Sequence, residues 1–169
     1  MLLGARVHQP TMSNLSDPLQ MRPFELADAE FVTPWLGESG LLAPPKNSAW
    51  PERLLRDDRI LAMVAHASGV PAGLVRLDCG PDGIAEITIV VAPDLRRGGH
   101  GGLMFQRALL RAREVGMRRL VAYIDIANDA ALAFFGEQGF ESKGVTGSRI
   151  RMDRIVHQSD RAAPLDVEG

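Results

Sequence analysis

Between residues 96 and 102 the chain reads Arg96-Arg97-Gly98-Gly99-His100-Gly101-Gly102, joining backbone that can approach a ligand closely to positive charge. If a helix starts within this run, its free N–H groups and the positive end of its dipole converge on one point, a ready anion site. A pyrophosphate suits such a cradle. Two common nucleotide loops do not fit the spacing. No Gly-Lys-Ser/Thr follows at P-loop distance, and Met104 stands where the third glycine of a dinucleotide fingerprint begun at Gly99 would fall. Taken alone, the cluster reads equally well as a glycine-rich turn. Carboxylates that could take a proton are Glu86, on the run leading to the glycines, and Asp125, at the end of a later apolar run. Tyr123 is the sole tyrosine. His8, His66, His100 and His157 are scattered and Cys79 stands alone, so no metal is expected.

The elements that must position these groups follow from periodicity. Met21 to Phe24 reads as a short strand and Ala27 to Leu36 as a helix behind the capping-type residues Glu25 and Asp28. Gly37 to Ser48 is loop-like, and Pro51 suits the first position of a second helix from Trp50. Arg59 to His66 and Val70 to Asp78 flank Ser68-Gly69 as a hairpin. Ile84 to Ala92, rich in β-branched residues, reads as a central strand. Phe105, Ala108, Leu109 and Ala112 recur at helical spacing, which places a helix at 100–115 that Gly116 can close. Leu120 to Asp125 is the next buried strand, and Asn128 can cap the helix after it, with Gly139 at its end. Phe140 to Lys143 and Ser148 to Val156 close the fold as a pair of strands. The order predicts an α/β domain over residues 19–157: a mixed sheet, antiparallel early and parallel in the middle, with helices on both faces. Residues 1–18 and 158–169 lack periodicity and are expected to be flexible ends.

Composition limits the partners. At 169 residues and 46% hydrophobic, the chain can bury a full core as one domain. A single cysteine rules out an internal disulfide, and no apolar run approaches the roughly 18 residues that span a bilayer, so a cytoplasmic protein without a membrane partner is expected. The opening ten residues lack the apolar stretch of a signal peptide. A formal charge of −2 and a pI near 6.1 give no broad attraction to nucleic acid. The arginines between Arg96 and Arg119 suit a small polyanion instead.

Val91-Ala-Pro-Asp-Leu-Arg-Arg-Gly-Gly-His-Gly101 resembles the cofactor motif of the GNAT acetyltransferase superfamily, a V-x-P strand end leading into Q/R-x-x-G-x-G/A, here Arg96-x-x-Gly99-x-Gly101. Asn128 to Phe135 and Gly139-Phe140 resemble that family's second motif, an asparagine-led helix ending in Gly-Phe. The resemblance covers about residues 20–156 and implies a splayed mixed sheet with acetyl-CoA as donor. It further implies that the pantetheine arm pairs with the backbone of Ile89, Val90 and Val91 like an added strand. Amides of Arg97, Gly98, Gly99, His100, Gly101 and Gly102 would hold the pyrophosphate beside Arg96. Asn128 would bond the pantetheine or the tetrahedral intermediate. His100 falls where the family usually has an aliphatic residue and reads as a helix-start spacer.

For the chemistry, Ala85-Glu86-Ile87 resembles the Ala-Glu-Ile of histone-acetyltransferase-like members, in which the glutamate is the base; Asp125 is a weaker candidate. The family's usual acid, a tyrosine seven residues after the asparagine, is replaced by Phe135. Water or Tyr123 would then protonate the thiolate, or the chain is an inactive acetyl-CoA sensor. Ala72 to Asp78 and Ala85 to Val91 are similar to stretches of acetyltransferases acting on nucleotide-linked amino sugars, in which Arg76 and Asp78 could touch the sugar. The expected partner is therefore a small-molecule amine, with protein N-terminal or lysine acetylation as the alternative. The apolar closing strands leave room for a homodimer.

Overall fold

The computed structural model describes residues 19–38 and 49–156. The ends expected to be flexible, His8 and His157, and most of the loop expected at 37–48 lie outside the described residues. The elements run β1 (Gln20–Pro23), α1 (Ala29–Glu38), α2 (Trp50–Arg56), β2 (Ile60–Ala67), β3 (Val70–Cys79), β4 (Ile84–Val91), α3 (His100–Glu114), β5 (Arg119–Asp125), α4 (Asp129–Glu137), β6 (Glu141–Thr146) and β7 (Arg149–Ile155). One sheet holds all these strands in the order β1-β2-β3-β4-β5-β7-β6. The parallel part expected in the middle is a single junction, β4 with β5; every other neighbouring pair is antiparallel. The reason is the last strand. β7 inserts between β5 and β6 and runs antiparallel to both.

Alternation along the strands divides the apolar side chains between two faces. On one face Val75, Leu77, Ala85, Ile87, Leu120, Ala122 and Ile124 join Met104, Phe105, Ala108 and Leu109 of α3 and Phe135 of α4 in the larger core. On the other, Leu74 and Val90 join Val32 of α1, Leu54 of α2 and Phe24. The close packing of α3 requires Gly73 on β3. A Cβ there would collide with the Val90 carbonyl oxygen and the Met104 side chain.

Local departures from the sequence expectation have identifiable causes. A short 3-10 turn, Leu26–Asp28, precedes α1, so the helix proper starts two residues later than expected. Asp28 is committed backward there: it accepts two hydrogen bonds from Arg22, both at 2.7 Å, and one from the Glu25 N–H at 2.8 Å. The first closing strand extends beyond Lys143 to Thr146. Gly144, at φ +142, carries the chain through a register shift rather than ending it. Among the described residues no helix is long and apolar enough to cross a membrane.

Candidate active site

β4 and β5 pair only from Ile84 to Glu86, against Arg119 to Val121, and then separate. Beyond that point β4 remains bonded to β3 as far as Val91, opposite Gly73, while its edge toward β5 gains no further strand partner. Ile87 to Val91 therefore line a split about 13 Å long at roughly 3.3 Å per residue. Ile89, Val90 and Val91, the residues expected to pair with a pantetheine arm, all lie on it.

At its far end the chain makes a 3-10 turn, Pro93–Leu95, and reaches the glycine cluster. Arg97 and Gly99 take the left-handed conformation, at φ +68 and +79, and Gly99 is the N-cap of α3. The first intrahelical bond runs from the Leu103 N–H to the Gly99 carbonyl, so the N–H groups of Gly99, His100, Gly101 and Gly102 precede the ladder. No acidic residue stands in the first turn of α3. Gly101 is close to its neighbours: a Cβ there would lie 3.1 Å from the Phe134 ring of α4 and 3.5 Å from the Val91 side chain. Helix start, split and α4 thus meet at one place. The His100 ring is turned back onto the loop, with Nδ1 3.3 Å from the Leu95 carbonyl oxygen.

Asn128 caps α4, its Oδ1 accepting from the Ala131 N–H at 3.1 Å, which leaves its amide NH₂ available. Phe135, at the position of the family's usual acid, is 7% exposed and packs edge-on against Phe134 and Phe140.

The opposite sheet face carries the titratable groups. One row of register partners crosses it: Ile60 on β2, Asp78 on β3, Glu86 on β4, Val121 on β5, Asp153 on β7 and Glu141 on β6. Glu86 keeps solvent access at the last paired position before the split, yet desolvation by the surrounding protein pushes its carboxyl up. The Asp78 charge adds to that rise, and Arg76 and Arg149 oppose it. Arg76 and Asp78 are bound to each other by two hydrogen bonds of 2.8 and 2.7 Å, so both of these expected sugar contacts are already partnered. Tyr123 is 40% exposed on the same face, one alternation beyond Val121. Asp125 accepts from the Ala127 N–H at 2.8 Å and shapes the turn into α4.

Sequence reasoning missed Arg149. It stands opposite Asp125 on β7, and its charge is felt at Glu86. Only the insertion of β7 beside β5 brings it there, and no spacing in the sequence encodes that strand order. Among the described residues no group of three or more His, Cys, Asp or Glu side chains is placed to hold a metal ion.

The sheet is opened at its one parallel junction, and a glycine-bordered helix start stands at the end of the opening, a geometry suited to an extended molecule that ends in a phosphate. The acetyltransferase (GNAT) family pattern matches residues 22–140, and the chain belongs to that family. It is 31% identical over 110 residues to an uncharacterized N-acetyltransferase of Methanocaldococcus jannaschii, covering 61% of this chain and 49% of that protein. It is 39% identical over 127 residues to a mycothiol acetyltransferase of Thermomonospora curvata, covering 70% of this chain and 37% of that one. The chain thus spans half or less of the curated relatives it matches. A PaiA N-acetyltransferase from Thermoplasma acidophilum, solved in complex with coenzyme A, shares the fold with a TM-score of 0.65 at 16% identity, covering 81% of this chain and 98% of its own.

The residues present fit coenzyme A. Consecutive N–H groups precede the α3 ladder, the first turn carries no carboxylate to repel a phosphate, and the β4 edge is open for an extended arm.

Proposed function

We propose that this chain transfers the acetyl group of acetyl-CoA to the primary amine of a small molecule by direct attack, with Glu86 as general base. The observation that carries the reading is the position of Glu86. Its carboxylate, with a raised pKa, stands where β4 leaves β5, and the anion cradle lies at the other end of the same open edge.

Bound acetyl-CoA supplies the activated acetyl thioester. The amides of Arg97, Gly98, Gly99, His100, Gly101 and Gly102, with Arg96 alongside, hold the pyrophosphate, and the backbone of Ile89, Val90 and Val91 holds the extended arm. Asn128 offers its amide NH₂ to that arm while its oxygen caps α4. Phe135, buried against Phe134 and Phe140, has no proton to give. Glu86 accepts the amine proton, directly or through water, and its raised affinity for protons suits it to that work near neutral pH. Tyr123 gives a proton to the leaving sulfur from the β5 side of the face.

The similarity of β3 and β4 to stretches of enzymes acting on nucleotide-linked amino sugars makes such sugars the first acceptors to try. A sugar amine is less basic than a lysine amine and demands less of the base. A second reading is a protein that binds acetyl-CoA without turnover, and Phe135 in the place of a tyrosine is the observation favouring it.

The test is acetyl transfer to a panel of small amines as a function of pH. Glu86 must be ionised to act, so kcat/KM rises with pH through a pKa above the ordinary carboxylate value of about 4.3. Glu86→Gln removes that limb, lowers kcat about 10²-fold or more, and leaves acetyl-CoA binding intact. An unchanged profile in the variant assigns the base elsewhere. Acetyl-CoA binding without transfer to any amine supports the second reading.

A further inference from the structure

The face that carries Glu86 continues into an open cavity of about 790 Å³ beside α2, lined by Trp50, Arg53, Arg56, Asp57, Asp58 and Arg76 together with Leu54, Arg59 and Ile60. We propose that this cavity is the acceptor's anion subsite, so that the amine this protein acetylates carries a phosphate or carboxylate held by Arg53 and Arg56. The inference rests on the acetyltransferase reading and narrows its substrate.

Position links the cavity to the reaction centre. Ile60, in its wall, is the register partner of Asp78, and Asp78 is the register partner of Glu86. Two strand spacings, about 10 Å, separate the wall from the Glu86 backbone. Arg76 lines the cavity, bonds Asp78, and is one of the charges that Glu86 feels. A molecule whose amine meets Glu86 can therefore place a distal group in the cavity.

Charge selects that group. Of the lining guanidinium groups, Arg59 is bonded to Asp57 and Arg76 to Asp78. The side chains of Arg53 and Arg56 have neither hydrogen bond nor ion pair among the described residues, and Asp58 is the one lining carboxylate not engaged with an arginine. These two arginines lie three apart on α2, a spacing at which like charges repel. Glu52, four residues before Arg56, could answer that charge but does not. Its Oε2 is buried without a partner, and Glu52 does not line the cavity. Two neighbouring guanidinium groups open to solvent match an oxyanion, which each can grip with paired N–H donors. Trp50, anchored against the Phe24 ring at 5.9 Å, offers an apolar wall beside them.

The experiment pairs amines that differ by an anionic group: glucosamine with glucosamine 1-phosphate, ethanolamine with phosphoethanolamine, and cadaverine with lysine. Each is assayed for transfer and, with coenzyme A saturating, for equilibrium binding to the full chain. The wild type should favour the anionic member of at least one pair by about tenfold or more in KM or Kd. The phosphate and carboxylate pairs distinguish which anion the site takes. Arg53→Gln/Arg56→Gln should erase the preference while acetyl-CoA affinity and the kcat for the neutral amine stay within about twofold, and Arg53→Lys/Arg56→Lys should retain part of it. Equal treatment of both members of every pair, in transfer and in binding, overturns the proposal, as does a preference that survives the glutamine variant. Loss of acetyl-CoA binding by the wild type would instead sink the acetyltransferase reading.

Discussion

Gly99 is the position at which the cradle can be charged without disturbing the core. It is the N-cap of α3, at φ +79 and ψ 1, and nothing lies within 4 Å of where its Cβ would stand. Gly99→Ala therefore meets only the left-handed backbone penalty, about 1–2 kcal/mol. For a chain of this size that lowers Tm by roughly 2–8 °C. Gly99→Glu carries the same penalty and adds a negative charge at the helix start. At about 5 Å from a phosphate and an effective dielectric near 20, the repulsion is about 3 kcal/mol, or roughly two orders of magnitude in Kd. Calorimetric titration with acetyl-CoA should find the alanine variant within a few-fold of wild type and the glutamate variant about 10²-fold weaker. The gap should narrow in 1 M salt, where the Debye length falls to about 3 Å. If both variants bind acetyl-CoA equally well, phosphates do not sit at this helix start, and the cluster is only a turn.

Two further substitutions address the remaining chemistry and the frame around it. Tyr123→Phe should lower kcat about tenfold or more with little change in KM for acetyl-CoA, since the exposed ring has no core role; an unchanged kcat gives the sulfur's proton to water. Asp28→Asn tests the clamp that sets α1 against β1. The hydrogen bond from Arg22, more than any other influence, holds the Asp28 carboxyl below its ordinary range. A carboxylate with a lowered pKa contributes stability that is fully present above the unfolded value, near 3.9, and lost as pH falls through the folded one. Arg22 is 36% exposed, so solvent screening keeps the cost of the variant to about 1–2 kcal/mol at pH 7. Denaturant titrations should show that cost shrinking as pH falls below the ordinary carboxylate range, and a cost that does not change with pH would contradict the ionic account.

What the sequence revealed and what it hid divide along physical lines. The helical spacing of Phe105, Ala108, Leu109 and Ala112 reports a buried stripe, and all four are buried in α3. The β-branched run before Ala92 marks a strand because both its faces are covered, by α3 on one side and by α1 and α2 on the other. Part of the glycine cluster is legible in physical terms: Gly99 takes left-handed backbone at the helix start, and Gly101 lies close against the Phe134 ring. Strand order is another matter. Nothing in the composition of Arg149 to Ile155 distinguishes a strand inserted beside β5 from one added at the sheet edge, so the approach of Arg149 to Glu86 stayed hidden. The cavity beside α2 draws its other wall from Ile60 and Arg76, on the β2–β3 pair that the sequence predicts as a hairpin.

The split sheet also separates two jobs that compete in most binding sites. On the proposed reading the donor is held by backbone, along an edge of β4, while the acceptor is met by side chains standing on one face of the same strand. Pleating makes these directions perpendicular. Exchanging Glu86, Thr88 or a cavity arginine therefore alters the acceptor side without removing a single donor hydrogen bond. A change of backbone geometry at Gly99 or Gly101 does the reverse. It follows that acceptor preference should respond to substitutions on α2 and β7, neither of which pairs with Ile89 to Val91. Affinity for acetyl-CoA should be nearly indifferent to them. A variant of Arg53, Arg56 or Arg149 that weakened acetyl-CoA and the amine in equal measure would show that the two sites are not separable in this way.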